Sequence, residues 1–305
     1  MRYVAGLDGG GTKTAVTVAD ENGGVLHTFT VGPLNYNGQD ETSVRAALSE
    51  ACAVIDGALA GGLAACAAIC VGAAGISNPV VGGLLTDGMR SGGFGGELVL
   101  GGDHETALCG AHSGLYGAIL IAGTGSIAYG RHSSGMTKRV GGYGHLIDDE
   151  GSGYSIGRDL LAAVVRAADG REPNTAITEL VYDRLGLTSV PELIGYVYDK
   201  ARSKKEIAAL APLLSEACEA GDRVAQRIVR KNADALAEMA SSLVEQLDMR
   251  DGEIALLGSV LTENRQMRST FIERVAWRQP LLRCIEPKRD ASYGAVLLAL
   301  EKLRG

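Results

Sequence analysis

The sequence predicts an α/β protein built from two related halves. Three observations carry this expectation. Alternating β-branched residues such as Thr14, Val16 and Val18 lie between tight glycine turns in the first thirty residues. Amphipathic stretches with apolar residues three or four apart alternate with short apolar runs further along. A strand, a glycine–hydroxyl turn, a second strand and another glycine turn then return at a spacing of about 115 residues, a weak internal repeat.

The elements follow in order. Tyr3 to Leu7 is an apolar run, and Asp8-Gly9-Gly10-Gly11 turns the chain into a strand at 14–18. Asp20 to Gly24 turns it again into a third strand, Val25 to Val31, completing an antiparallel meander. Glu41 to Leu59 has helical composition, Ala67 to Val71 reads as a buried strand, and Glu97 to Leu100 as another, ending at Gly101-Gly102-Asp103. A helix is expected over 104–113. The opening pattern then returns as Ala118 to Ile121, the turn Gly123-Thr124-Gly125-Ser126, a strand at 127–130 and the turn Ser133-Ser134-Gly135. From Ser152 onward the spacing is helical. Asp222 to Leu247 is a long amphipathic helix, Glu253 to Leu257 a buried strand closed by Gly258-Ser259, and Ala291 to Leu303 a terminal helix.

Composition limits the function classes. A chain of 305 residues, 46% hydrophobic and 21% charged, has room for two domains, each with a core. Its 43 glycines follow no triplet and mark turns and close ligand approach rather than disorder. A net charge of −7 argues against a nucleic-acid surface, and the densest basic cluster, Arg283 to Arg289, is interrupted by Glu286. The six cysteines form no CxxC pair and no zinc spacing; Cys66 and Cys70 read as buried thiols, and a reducing, cytoplasmic setting is expected. Asp8 breaks the apolar start, so no signal peptide is expected. The uncharged stretch between Asp56 and Asp87 is long enough to span a bilayer. It is broken by Gly61-Gly62, Asn78-Pro79 and Gly82-Gly83, and no membrane helix is expected there.

The strongest local signal is Asp8-Gly9-Gly10-Gly11-Thr12-Lys13-Thr14. Three glycines can bring several backbone N–H groups to one point, a cradle for phosphate oxygens, with the Thr12 hydroxyl and the Lys13 cation beside it. Asp8 could hold magnesium directly or through water. The run misses a Walker A loop by one residue, and a strand rather than a helix follows, which also excludes the Rossmann glycine loop. A plain hairpin turn is the bland alternative. Gly123-Thr124-Gly125-Ser126 repeats the theme more weakly. Asp103, at a strand end, reads either as an N-cap or as a carboxylate placed to accept a hydroxyl proton in phosphoryl transfer. Gly141 to Gly153 packs glycines, Tyr143, His145 and three carboxylates into a stretch that suits a polyol ligand; the acids could instead be the first turn of the next helix. Asn35-Tyr36-Asn37 offers amides, either as turn chemistry or for a neutral polar substrate.

In order along the chain, DGGGTKT at 8–14, the loop ending at Asn35, GGDHETAL at 101–108, LIAGTGS at 120–126, GGYGHLIDDEGSGYSIG at 141–157, AGD at 220–222 and LLGSV at 256–260 resemble the N-acetylglucosamine kinases of the BadF/BadG branch of the actin-like ATPase superfamily. The resemblance covers nearly the whole chain. It implies two ribonuclease-H-like lobes with a nucleotide and sugar cleft between them: residues 1–115 with 291–305, and residues 116–290. Carried over by position, Gly9, Gly10, Gly11, Thr12 and Lys13 form the first phosphate loop and Thr124, Gly125 and Ser126 the second. Gly258 and Ser259 lie near the adenosine. Asp103 becomes the general base for the sugar's 6-hydroxyl, and Asn35, Gly142, Tyr143, Gly144 and Asp149 line the sugar. ATP and Mg2+ are the implied cofactors, the magnesium at Asp8. The implied partners are a small-molecule sugar and ATP, with a homodimer as a family expectation.

The expected function is therefore ATP-dependent phosphorylation of an amino sugar, N-acetylglucosamine first, with glucosamine, glucose and N-acetylmuramic acid as alternatives. Ala73-Ala74 and Tyr143 depart from the side chains found in some members, which bears on the choice of sugar. An ATPase switch acting on a partner protein is the alternative of another class.

Overall fold

A computed structural model describes residues 2–34 and 40–304. They divide into two units, Met1–Gly117 with Pro287–Gly305, and Ala118–Glu286. Asn35, Tyr36 and Asn37 lie outside the described residues.

The first unit opens with β1 (Tyr3–Gly9), β2 (Thr14–Asp20) and β3 (Val25–Val31), an antiparallel meander. It continues with α1 (Glu41–Ala58), β4 (Cys66–Ala73), α2 (Pro79–Ser91), β5 (Glu97–Gly102) and α3 (Asp103–His112). β1–β4 and β4–β5 are parallel pairs, so helices carry the crossovers, and the sheet order is β3-β2-β1-β4-β5. Side chains alternate across β1: Tyr3, Ala5 and Leu7 pack with Leu48 and Ile55 of α1 and with Leu85 and Met89 of α2, whereas Val4 faces the opposite layer.

The second unit repeats the plan. β6 (Gly117–Ala122), β7 (Ser126–Arg131) and β8 (Thr137–Gly141) precede α4 (Gly153–Ala168), α5 (Ile177–Leu185), α6 (Val190–Tyr198), α7 (Lys204–Ala208), α8 (Leu213–Glu219) and α9 (Arg223–Gln246). Then come β9 (Glu253–Leu257), α10 (Ser259–Thr262), α11 (Arg265–Arg278) and β10 (Arg283–Ile285). The sheet order β10-β9-β6-β7-β8 equals that of the first unit once each strand is matched to its counterpart. The weak internal repeat is thus a repeat of topology. The amphipathic face of α9 supplies much of this core through Val224, Ile228, Leu236 and Leu243.

The last helix, α12 (Ala291–Arg304), belongs to the first unit. It covers the second face of that sheet with Ala295, Val296, Ala299 and Leu300 against Val4, Ala68 and Cys70. The fit is backbone to backbone. A Cβ at Gly6 would lie 2.2 Å from the Ser292 carbonyl oxygen, and one at Gly294 would lie 1.9 Å from that of Thr106. Gly6→Ala is expected to destabilise the protein by about 3 kcal/mol or more, because a rigid helix backbone must move. An unchanged urea midpoint for this variant would refute the tight seating of α12.

No helix among the described residues is long and apolar enough to cross a membrane. The stretch at 56–87 instead holds β4 and most of α2. All six cysteines are free thiols, and burial pushes the Cys66 thiol up to about 12.

Candidate active site

The glycine run at 8–14 is the β1–β2 hairpin. Gly9 pairs with Thr14, and the Gly10 N–H donates to the Lys13 carbonyl at 3.1 Å. A strand does follow the glycines. Gly9 and Gly10 do not need glycine for a left-handed conformation, since neither has a positive φ. They need it for close approach: added Cβ atoms would lie 2.9 Å from the Gly72 carbonyl oxygen and 2.7 Å from that of Lys13. Thr12 and Lys13 are exposed at the tip beyond Gly11.

Asp8 is half-buried at the end of β1. Burial, followed by the charges of Asp103 and Asp290, pushes its carboxyl up to about 6. Asp290 is fixed at the start of α12, where its Oδ1 accepts from the Ser292 hydroxyl at 2.8 Å and the Tyr293 N–H at 2.9 Å. Ser292 also shares a 2.6 Å hydrogen bond with Thr17 of β2, so the Asp290 turn is tied to the sheet. Carboxylates from two distant parts of the chain therefore act on Asp8. Among the described residues no group of three or more His, Cys, Asp or Glu side chains forms a ready metal cage. Magnesium takes carboxylate oxygens, and Asp8 offers one carboxylate here.

Asp103 is not the N-cap that its sequence position allowed. The helix α3 starts at Asp103 itself, and Gly102 occupies the cap position, with its N–H bonded to the Glu105 carboxylate at 2.7 Å. The side chain of Asp103 is 51% exposed. Its Oδ1 accepts from the His104 N–H at 2.9 Å and lies 3.3 Å from the His104 ring Nδ1. Burial pushes this carboxyl up, but the hydrogen bonds and the charge of His104 outweigh it and hold the group below the usual range. Asp103 thus ionises at a lower pH than Asp8, whose carboxyl is pushed up.

In the second unit the counterpart hairpin is Gly123-Thr124-Gly125 between β6 and β7. It is bound to the start of α4: the Gly153 N–H donates to the Gly123 carbonyl at 2.7 Å and the Tyr154 N–H to that of Thr124 at 3.2 Å. The Ser126 hydroxyl donates to the Glu150 carbonyl at 2.7 Å. Asp149, expected from the resemblance to line the sugar, is only 3% exposed and sits beneath this hairpin. Its Oδ1 is 3.4 Å from the Ser126 N–H, and a Cβ at Gly125 would meet its carboxylate at 2.9 Å.

The glycine-rich stretch 141–152 is an open loop. Gly142 and Gly144 hold φ of +78° and +102°, which only glycine adopts without strain. Tyr143 is 63% exposed, its ring lies under the Arg139 guanidinium at 4.7 Å, and its N–H donates to Asp148 Oδ2 at 2.7 Å. The acids at 148–150 close this loop and are not the first turn of α4, which is capped by Ser152. His145 packs edge-on against Tyr154 at 4.7 Å, a structural contact.

A cavity of about 540 Å³ opens between α4, α7, α8 and α10. Thr124 and Ser259 both line it. Gly258 stands behind Ser259 with φ +86°, and its Cα leaves no room for a side chain against the Ala122 carbonyl, 2.3 Å from a built Cβ. Sequence reasoning missed the other walls, among them Lys205, Ala208, Ala211, Pro212 and Asn264. The small residues Ala208, Ala209 and Ala211, at and just past the end of α7, were the available signal.

Two units of the same sheet order, each with a glycine hairpin between its first two strands, define the fold of the actin-like ATPases and ROK sugar kinases. A ROK hexokinase from Thermus thermophilus superposes with a TM-score of 0.61 at 18% identity, over 99% of both chains. The chain belongs to the BadF/BadG/BcrA/BcrD ATPase family, which it matches over residues 5–299. It is 36% identical to an N-acetylmuramic acid/N-acetylglucosamine kinase of Clostridium acetobutylicum, over 98% of each chain. It is 30% identical to an N-acetyl-D-glucosamine kinase of Dictyostelium discoideum, over 97% of each. A solved candidate N-acetylglucosamine kinase from Chromobacterium violaceum is 29% identical with a TM-score of 0.78, covering 98% of this chain and 99% of that one.

Proposed function

We propose that the protein is an ATP-dependent kinase that phosphorylates the 6-hydroxyl of an amino sugar, with N-acetylglucosamine as the first acceptor. The observation that carries the reading is Asp103: an ionised, half-exposed carboxylate at the first position of a helix that leaves a strand end beside Asp8. Likeness to amino-sugar kinases over the full length of this chain supports the choice of acceptor.

In this reading the 6-hydroxyl oxygen bonds to the γ-phosphorus while the bond from that phosphorus to the β,γ-bridging oxygen breaks, and ADP leaves. Asp103 takes the hydroxyl proton and passes it to solvent. The transition state is loose, so positioning and charge matter more than base strength, and a carboxylate of low pKa is adequate. In the first unit the hairpin Gly9 to Lys13 offers N–H groups, a hydroxyl and a cation to phosphate oxygens, and in the second unit Thr124, Gly125 and Ser126 offer N–H groups and hydroxyls. Asp149 holds that second hairpin in shape from beneath. The cavity beside Gly258 and Ser259 takes the adenosine. By the resemblance alone, Asn35 of the first unit and Gly142, Tyr143 and Gly144 of the second are the candidates for binding the sugar. Asp8 would hold Mg2+, directly or through water, and the ion would neutralise phosphate charge there.

The test is turnover with ATP and magnesium against N-acetylglucosamine, N-acetylmuramic acid, glucosamine and glucose, reading both ADP and sugar phosphate. N-acetylglucosamine is expected to stimulate ADP release and to appear as its 6-phosphate. ADP release indifferent to every sugar would remove the kinase reading and favour an ATPase switch.

A further inference from the structure

Asp103 begins its helix with a side chain half in solvent, where a carboxylate ordinarily samples several rotamers. Here one neighbour constrains it twice. The backbone N–H of His104 donates to Asp103 Oδ1 at 2.9 Å, and the ring Nδ1 of the same residue stands 3.3 Å from that oxygen. Both contacts fall on Oδ1, and neither engages Oδ2. The ring itself is seated rather than loose: it lies over Gly102, where an added Cβ would sit 2.4 Å from its Cε1 and 2.8 Å from its Nδ1. Gly102 is held in turn by the Glu105 carboxylate on its N–H, and the Asp103 carbonyl by the buried Thr106 hydroxyl at 3.0 Å. The strand–helix junction thus fixes the imidazole, and the imidazole fixes the carboxylate.

We propose that His104 is a positioning residue for the phosphoryl-transfer step, donating from Nδ1–H to Asp103 Oδ1 so that Oδ2 meets the acceptor hydroxyl in one orientation. The inference rests on the reading of Asp103 as proton acceptor. It requires the tautomer, or the imidazolium, that carries hydrogen on Nδ1.

The experiment compares His104→Phe, His104→Leu and His104→Asn with Asp103→Asn and the double variant Asp103→Asn/His104→Phe, each checked for fold by circular dichroism. Asn can place an amide N–H where the imidazole Nδ1–H stands; Phe and Leu cannot. The expected result is a fall in kcat of about 10- to 100-fold for Phe and Leu, the cost of a misplaced reacting group. KM values for sugar and ATP should stay within about twofold, and Asn should recover most of the rate. In the Asp103→Asn background, His104→Phe should cost nothing further, since the group it orients is gone. A normal kcat in the Phe and Leu variants, or a loss in Asn as deep as in Phe, overturns the proposal. Leu carries the same prediction if Phe is too bulky to fold beside Gly102. Failure of the underlying reading looks different: Asp103→Asn would then itself turn over normally, whatever His104 does.

Discussion

Asp103→Asn is expected to lower kcat by about three orders of magnitude or more while the protein stays folded. The two halves of that result have separate physical origins. The amide keeps the size of the carboxylate and can still meet the acceptor hydroxyl, but it cannot take its proton or offset its developing charge. Stability should barely change. The side chain is 51% exposed, and its favourable placement in the first turn of α3 contributes no more than about 1 kcal/mol after solvent screening. The pH sign follows from the direction of the shift: a carboxyl held below its unfolded value stabilises the fold at neutral pH, and that contribution fades as pH falls through the lowered value. Sugar phosphate formation and thermal unfolding, measured on one preparation, check both halves. Near-normal turnover would remove Asp103 from the chemistry.

Asp8→Asn is expected to do something less usual: to stabilise the metal-free protein at high pH while lowering magnesium-dependent turnover by about 100-fold or more. The wild-type carboxyl titrates near 6 in the fold because burial and the charges of Asp103 and Asp290 disfavour its ionised form. Unfolded, it titrates near about 3.9. Its folded state therefore binds a proton more tightly. The stability this gives is complete below the unfolded value and is lost as pH rises through about 6. A shift of about two units corresponds to roughly 3 kcal/mol. Asparagine carries no charge at any pH and escapes this loss. Urea midpoints in chelator at pH 4.5 and pH 8 should show Asp8→Asn gaining clearly more on wild type at the higher pH. An equal gain at both would mean that Asp8 carries no unfavourable charge in the fold. Under the proposal that Asp8 holds magnesium, protons compete for the same oxygens, and the magnesium requirement of the wild type should rise as pH falls through about 6.

Local chemistry made several elements legible. The β1–β2 and β6–β7 hairpins are written in contiguous glycine, hydroxyl and β-branched residues, and a strand after each glycine turn was enough to exclude helix-based phosphate loops. The amphipathic face of α9 was plain in its spacing. Asn78-Pro79 was read only as a break in an apolar stretch. It is a helix start: Asn78 accepts from the Val80 N–H at 3.0 Å and Pro79 takes the first position of α2, where a missing N–H costs nothing. The strand β8 hid behind Lys138 and Arg139, since it is an edge strand and its residues need not be apolar. The three-residue β10 is too short to show a period at all.

What the sequence by itself determined is therefore what neighbours along the chain can encode: the two hairpins, the repeat that relates the units, and an acid set at a strand end. Tertiary structure decided which distant groups share an electric field and which share a wall. Asp290 acts on Asp8 only because α12 returns to lie flush against Gly6. Asp149 became a buried support for Gly125 and Ser126 rather than an open loop acid. Thr124 and Ser259 came to line one cavity because β6 and β9 run side by side. Burial and charge proximity depend on distance in space, and sequence spacing measures that distance only within a turn or two of chain.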